Sequence, residues 1–534
     1  VFVPAHDAVV SKRHGTVIVE YEDKLGPDAL GVREFGLHEH TVHQEVLTLA
    51  NRHLFLTPQV DESSPEWAAF NAALLSLSDE FKLSGKVSPC SSTDVIRPKK
   101  GRARKRARVG FHHYYTKGVG KREAVLTEMQ KLEMYEVDKI SGKEDRGIQF
   151  RHVGMNAAYS RYIVPIEHRL VTLYGGNSVL PFMAKGLTLE ERGLAICQMA
   201  DRFNKPAFIL MDHSRFDAHL GVELLKAVHR FYARVVGRGR KELMRLLKFQ
   251  LAGRGYSAGG VHYRHRGGRC SGDQDTGCGN SVDNYANIRS WLDLSGVSGE
   301  ILLDGDDSVV IIEESDLEKL VDCKNHMLKL GMETEYEVVG DISQVEFCQA
   351  KVGLTQHSVS LIPNPLKFLG KSRVLAQNCG IDQGVQILRS TIEGVLATLP
   401  DLPMYRPFWR WYVDNPGKVR LTPEQVAKNE RYGVKSAEFR DWIEPSEETR
   451  LSFAKSWGIS PSDQVLFEKS ILKTAGELRR KEPRVRDREL VVDDVLDWLD
   501  TEGIMGSDSI KPTRWSEQSE AYRSKWVALL TSSS

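Results

Sequence analysis

The stretch EILLDGDDSVVII at 300–312 constrains the fold more than any other part of the 534-residue chain. Ile301–Leu303 and Val309–Ile312 are apolar runs of strand length, separated by Asp304, Gly305, Asp306, Asp307 and Ser308. Asp-Gly is a preferred two-residue turn, so the pattern predicts an antiparallel hairpin with a crowded acidic tip. Carboxylates a few ångströms apart repel and raise one another's pKa. A divalent cation removes that repulsion, and all-oxygen donors select magnesium or manganese over zinc. Hairpin tips that simply face water are also acidic, so the segment alone leaves both readings open. An EF-hand is excluded, because the following residues supply no ligand at the loop positions it requires.

A second acidic segment, FILMDHSRFDAH at 208–219, places Asp212 directly after four apolar residues. The preceding residues predict an amphipathic helix, a break at Pro206 and a buried strand over Ala207–Met211. A carboxylate at the end of a buried strand is costly to keep ionised without a positive partner, and a metal ion is one such partner. Asp217, five residues on, could reach the same pocket; Ser214 and Asp217 could equally cap a following helix. Between the two acidic segments lies GGRCSGDQDTGCGNSVDNYANI at 267–288, small residues running into a helical pattern. Free backbone N–H groups together with Ser271, Thr276 and Asn280 suit a nucleotide's sugar and phosphates. The spacing matches neither the Walker loop nor the dinucleotide fingerprint, and a turn-rich surface loop is the plainer alternative.

Elsewhere the chain reads as a multi-part globular protein. Its length exceeds what one core usually fills, so several subdomains are expected. Lys and Arg total 73 against 72 Asp and Glu, so partner choice rests on where charge lies, not on its sum. Eight positive charges fall within 97–108, RPKKGRARKRAR, a run that cannot enter a core. It reads either as a solvated linker or import-like patch, or as a flexible arm that touches RNA phosphates through Arg102, Arg104, Lys105 and Arg106. The seven scattered cysteines form no CxxC pair and read as reduced thiols. No run is long and apolar enough to span a bilayer. Helical spacing is expected around Trp67–Leu77, over 221–249 with a Gly interruption, and over 317–330. Beyond 380, Trp409, Trp411, Trp442 and Trp457 suit a separate helical core, while the charged tail and closing TSSS are expected to fray.

Taken together, DHSRFDAH at 212–219, SGDQDTGCGN at 271–280 and GDD at 305–307 resemble the polymerase motifs of tombusvirus-like viruses, within the wider set of positive-strand viral RNA polymerases. VEFCQAK at 345–351 resembles that family's segment beside the primer strand, and RGIQFRHVGMNAAYSRYIVPIEHRL at 146–170 its basic fingers motif. The two principal aspartates are 94 residues apart, which also fits. His213 stands where the family typically has Ala, and Asp304 where a small residue or Cys is usual.

The resemblance implies an α+β right hand of fingers, palm and thumb, with an antiparallel palm sheet backed by helices. The expected divisions are an N-terminal extension with the basic run (1–110), fingers (111–206), palm with an interleaved fingers segment (207–370), and a helical thumb with tail (371–534). It implies RNA-templated RNA synthesis from ribonucleoside triphosphates, with Asp212, Asp306 and Asp307 holding two Mg2+ ions, Mn2+ being possible. Asp217 and Asn280 would read the ribose 2′-OH, with Ser271 and Thr276 shaping that network. Lys143, Arg146 and Arg151 would clamp the triphosphate, Cys348 and Lys351 would lie against RNA, and Lys324 or Lys329 could protonate pyrophosphate. Expected partners are template and product RNA and other replication-complex proteins, at membrane-associated sites in the host cytoplasm. Two alternatives remain: an RNA-templated DNA polymerase, and a non-enzymatic RNA-binding replication protein.

Overall fold

The computed structural model describes residues 9–475, apart from 12, 14, 23–29, 177, 179, 377–378 and 418–439. The charged tail and TSSS lie outside the described residues. Strands β1 (Thr16–Val17) and β2 (Val19–Tyr21) come from a segment with no chemical motif, yet they pair antiparallel with residues 374–375 and 472–474. Ile18 and Val19 thereby enter the same core as the C-terminal helices.

Helix α1 (Pro65–Leu83) starts where Ser64 accepts from the Trp67 N–H and Pro65 presets the first turn. It buries Trp67, Phe70, Leu74, Leu77 and Phe81 at helical spacing. The basic run does not form the flexible arm or linker expected of it. Most of it lies in helix α2 (Gly101–Lys117), whose Arg, Lys and Ala residues are good helix formers. Its first two turns keep their charges exposed, while Gly110 and Phe111 are buried. A Cβ on Gly110 would sit 2.4 Å from the Val153 carbonyl oxygen, so glycine permits the close approach of the next helix.

Strands β3 (Leu126–Gln130) and β4 (Gly147–Phe150) form a hairpin ahead of α3 (Val153–Tyr174). Helix α4 (Leu189–Ala200) is opened by a Thr188–Glu191 capping box and leads to β5 (Pro206–His213), as the spacing predicts. The Gly interruption divides α5 (Val222–Val235) from α6 (Arg240–Leu251). Strands β6 (Ala252–Ser257) and β7 (His262–Arg266) complete a sheet ordered β7-β6-β3-β4, in which β6 and β3 run parallel. Helix α7 (Thr276–Ser295) follows the glycine-rich loop. Then come β8 (Gly299–Asp304), β9 (Asp307–Glu313), the short α8 (Cys323–Lys329) and β10 (Thr334–Val339).

The central sheet is antiparallel throughout, in the order β8-β9-β5-β10. Val310, Ile312, Ile209 and Met211 enter one core with α1, α5 and α7; Val309, Ile311 and Phe208 enter another with α4. Both faces of β9 are covered, which is why Val309–Ile312 reads as a continuous apolar run. Each of these side chains stabilises the sheet by about 1.5–3 kcal/mol. Strands β11 (Glu346–Phe347), β12 (Ala350–Leu354) and β13 (Val359–Pro363) form a small antiparallel sheet beside α4. Helices α9 (Ile381–Thr398), α10 (Arg406–Asp414), α11 (Glu447–Trp457) and α12 (Pro461–Phe467) build the tryptophan-rich core. Trp411 and Trp442 are buried in it, and Trp409 and Trp457 pack against it. The whole is a mixed α+β fold of small, mostly antiparallel sheets backed by helices. Among the described residues no helix is long and apolar enough to cross a membrane.

Candidate active site

The acidic hairpin forms, with its turn one residue later than Asp-Gly chemistry predicts. Asp304 pairs with Asp307, leaving Gly305 and Asp306 as the turn residues. Gly305 has φ +73°, so glycine occupies the first turn position, where positive φ is needed. Helix α7 holds this turn. The Gly305 N–H donates to Ser281 Oγ (3.2 Å), and Asn284 Nδ2 donates to the carbonyls of Gly305 (2.9 Å) and Asp306 (3.2 Å).

Ser308 lies opposite Met211, which brings Asp307 beside Asp212 on the neighbouring strand. β5 runs through Asp212 to His213, and alternation turns the Asp212 side chain out to solvent while His213 is buried. The expectation of a costly buried carboxylate at Asp212 is therefore corrected. The strain sits on Asp307: loss of water on its protein side, then the charge of Asp306, push its carboxyl up to about 6. Asp304 and Asp212 act in the same direction.

Arg192, on α4, belongs to none of the sequence motifs, yet it reaches the hairpin. Its Nη2 meets Asp304 Oδ2 at 2.6 Å and the Ala184 carbonyl at 3.1 Å, and Nε donates to the Leu187 carbonyl at 3.2 Å. Nη1 lies 3.2 Å from Cys348 Sγ, and the guanidinium stands over the Phe347 ring. One cation thus neutralises the extra hairpin carboxylate and ties it to the turn between β11 and β12. Both residues of that turn, Cys348 and Gln349, have positive φ. The only signal in the sequence was Asp304 itself, a surplus acid in want of a base.

Asp217 and Asn280 meet as the resemblance implies: Asn280 Nδ2 donates to Asp217 Oδ1 at 2.7 Å. Arg269 Nε donates to Asn280 Oδ1 at 3.2 Å, which fixes the amide's orientation, while its Nη1 pairs with Asp275 at 2.5 Å. Burial pushes the Asp217 carboxyl up to about 6, against the lowering by Asn280 and Arg269. Asp306 and Arg146 both act on Asp217 electrostatically, so the pair lies at the edge of the acidic hairpin.

The remaining expected residues divide. Arg146 is exposed, with Glu133 3.9 Å away. Lys143 is exposed on the same loop. Arg151 is not an open phosphate clamp. It is fully buried, paired with Asp273 (2.9 Å) and donating to the Ala124 carbonyl (2.7 Å), because a buried guanidinium must spend its donors internally. Gln250 bridges Asp273 and Asp275, which continues this polar chain to Arg269. Thr276 Oγ1 donates to the carbonyls of Cys270 and Asp273 and so braces the loop; Ser271 lies half-buried against β4. Lys351 donates to Gln344 and stands over the Trp457 ring. Lys324 pairs with Glu335, the cross-strand partner of Asp212, whereas Lys329 is tied to Glu66 on α1. Arg102, Arg104, Lys105 and Arg106 are exposed on α2.

Among the described residues no group of three or more His, Cys, Asp or Glu is gathered closely enough to hold a metal ion. The side chains nearest to such a group are all hard oxygen donors. Asp212, Asp306 and Asp307 are exposed carboxylates on adjoining strand ends, and Asp307 bears the mutual repulsion that such an ion relieves.

The acidic hairpin and the Asp212 end of β5 thus lie at one end of the antiparallel sheet, with Asp217, just beyond β5, paired to Asn280 in α7. The family model described as "Viral RNA dependent RNA polymerase" matches residues 26–479, and the chain belongs to that family. It is 27% identical over 470 residues to an RNA-directed RNA polymerase of Groundnut rosette virus (strain MC1), covering 84% of this chain and 53% of that protein. To the RNA-directed RNA polymerase of Cucumber necrosis virus it is 33% identical over 364 residues, covering 66% of this chain and 43% of the relative. To that of Tobacco necrosis virus (strain A) it is 28% identical over 358 residues, covering 65% and 49%. The chain spans about half the length of these relatives.

Proposed function

We propose that this chain is the catalytic part of a tombusvirus-like, positive-strand RNA virus replicase, copying an RNA template into RNA from ribonucleoside triphosphates. The observation that carries this reading is the juxtaposition of Asp212, Asp306 and Asp307 with the Asp217–Asn280 pair at their edge. In the right-hand division, β3–β4 and α3 serve as fingers, the central sheet as palm and the tryptophan-rich helices as thumb.

Asp212, Asp306 and Asp307 would hold two Mg2+ ions, with Mn2+ as a substitute; such ions activate the attacking hydroxyl and neutralise charge on the leaving pyrophosphate. The chain's own residues do the rest by positioning and electrostatics. Arg146, with Lys143, draws the triphosphate toward the hairpin. Asp217 and Asn280 present an acceptor and a donor to the ribose 2′-OH, the group that separates RNA precursors from DNA precursors. Arg151 acts at one remove, holding Asp273 and the loop that leads into α7, the helix that carries Asn280. Arg192 holds Cys348 and the β11–β12 turn against the hairpin, where the product strand would pass. Lys324, beside Glu335 and so near Asp212, is better placed than Lys329 to deliver a proton to pyrophosphate. The surroundings would be a host cytoplasmic replication complex, reached through partner proteins or further segments of the polypeptide.

Incorporation of ribo- and deoxynucleotides on an RNA template tests this reading. Wild type should add ribonucleotides in a Mg2+-dependent way, and Asp306→Ala should abolish addition while leaving the fold intact. Preference for deoxynucleotides would establish a DNA polymerase instead. RNA binding without incorporation would establish a non-enzymatic replication protein.

A further inference from the structure

His213 occupies a position where the resembled family typically carries Ala, and here it is buried behind the acidic hairpin. Its Nε2 lies 3.0 Å from Asn284 Oδ1, and its Nδ1 lies 2.7 Å from Thr334 Oγ1, on the cross-strand neighbour of His213. The proton positions follow from the partners. Asn284 faces two backbone carbonyls, those of Gly305 and Asp306, and only its NH2 group can donate to both. Its Oδ1 must then point to His213 and accept. His213 therefore carries its proton on Nε2, and Nδ1 accepts from the Thr334 hydroxyl. The opposite tautomer would turn the amide and set Asn284 Oδ1 against two carbonyl oxygens, with no donor between them.

We infer that His213 is a positioning residue: through its Nε2–H it orients the Asn284 amide, which fixes the backbone of the Gly305–Asp306 turn and so the direction of the Asp306 carboxylate. The inference rests on the reading of that hairpin as catalytic. The Ser281 hydroxyl takes the Gly305 N–H on the same side, so three backbone groups of the turn are held by side chains of α7. Only the Asn284 arm depends on β5. The strand that carries Asp212 thus also sets the turn that carries Asp306, and the two carboxylates are placed by one rigid connection. With Ala at 213 the Asn284 oxygen would lose its donor, and the amide would be free to rotate.

Two variants separate this role from simple packing. Glutamine places an amide N–H near the position of Nε2, whereas asparagine reaches only as far as Nδ1. His213→Gln should keep kcat within about threefold of wild type. His213→Asn and His213→Ala should each lower kcat about tenfold, the size of one lost hydrogen bond, with KM for the nucleotide changed less than about twofold. Nitrogen-15 NMR of histidine-labelled, metal-free protein reads the tautomer directly and should show a protonated Nε2 and a bare Nδ1 at His213. A protonated Nδ1 overturns the inference, as does a Gln variant no better than Asn. If the wild type makes no RNA the functional reading fails, and the tautomer measurement alone then decides whether the latch exists.

Discussion

Replacing Arg192 with Ala should reveal how far the acidic hairpin depends on one cation. At 2.6 Å from Asp304, with Arg192 largely buried and Asp304 about one-third exposed, the pair is neither a surface contact nor a sealed one. Two unit charges about 4 Å apart attract by about 4 kcal/mol at an effective dielectric near 20; solvent access to Asp304 reduces this to about 2 kcal/mol. The variant also leaves the Leu187 carbonyl without its Arg192 donor, at about 0.5–1.5 kcal/mol, whereas the Ala184 carbonyl keeps the Leu187 N–H. Arg192→Ala should therefore destabilise the metal-free protein by about 2.5–3.5 kcal/mol. Adding Asp304→Asn should restore the electrostatic part, because the surplus carboxylate disappears while the Leu187 carbonyl stays without its donor. Divalent cations act in the opposite sense, since removal of the guanidinium leaves a more negative site. Mg2+ should consequently raise the melting temperature of Arg192→Ala by more than it raises that of wild type. Thermal unfolding of wild type, both single variants and the double variant, each with and without Mg2+, reads all three effects. Equal melting temperatures for wild type and Arg192→Ala, or no recovery in the double variant, would refute the reasoning.

Three further outcomes are expected. Asn280→Ala removes the donor side of the Asp217–Asn280 pair and should lower the preference for ribo- over deoxynucleotides about tenfold, read as the ratio of the two incorporation efficiencies; an unchanged ratio removes Asn280 from sugar selection. The carboxyls of Asp307 and Asp217 are both held up to about 6, so the folded state binds more protons than the unfolded state between their ordinary pKa and 6. Metal-free stability should thus fall as pH rises through that window, and Asp307→Asn should stabilise the protein above pH 6 but not at pH 4, a benefit that Mg2+ cancels; denaturant titrations at the two pH values check this. On helix α2, Arg102, Lys105 and Arg106 share one face and Arg104 and Arg108 another, so a rigid helix can lay only one set on an RNA strand. Neutralising the favoured face should reduce the salt dependence of RNA affinity by a slope of about 2, and the other face should change it little, whereas a flexible arm would show equal losses per charge and a solvated linker none.

Periodicity made the local elements legible. The α4–Pro206–β5 succession, the split between α5 and α6, and the two strands of the acidic hairpin follow from spacing within a dozen or so residues. What it could not supply were decisions taken at a distance. Asp-Gly and Gly-Asp turns are both chemically acceptable at 304–306, and the choice between them is bound up with the grip of Ser281 and Asn284 on the Gly305 backbone. Arg146 and Arg151 look equivalent on one short basic motif, yet Asp273, 122 residues along, takes Arg151 into the interior and leaves Arg146 outside. The 97–108 run shows its charge plainly, while its helicity depends on Gly110 and Phe111 docking on α3. Nothing local in Thr16–Tyr21 marks its pairing with the far end of the chain.

The two departures from the resembled family follow the same logic. Asp304 and His213 are visible as departures in the sequence, but their compensations are not, because Arg192 lies 112 residues from Asp304, and Asn284 and Thr334 lie 71 and 121 from His213. An unpaired carboxylate beside Asp306 and Asp307, or an unsatisfied buried imidazole behind them, would each cost free energy at the place where geometry matters most. Both were accommodated by tying the hairpin more firmly to its neighbours: Asp304 to α4 and the Cys348 turn, His213 to α7 and β10. A residue that breaks a pattern beside a candidate active site is thus best read as half of a pair. The missing half is to be sought among side chains whose donors and acceptors complement it, wherever they lie in the sequence.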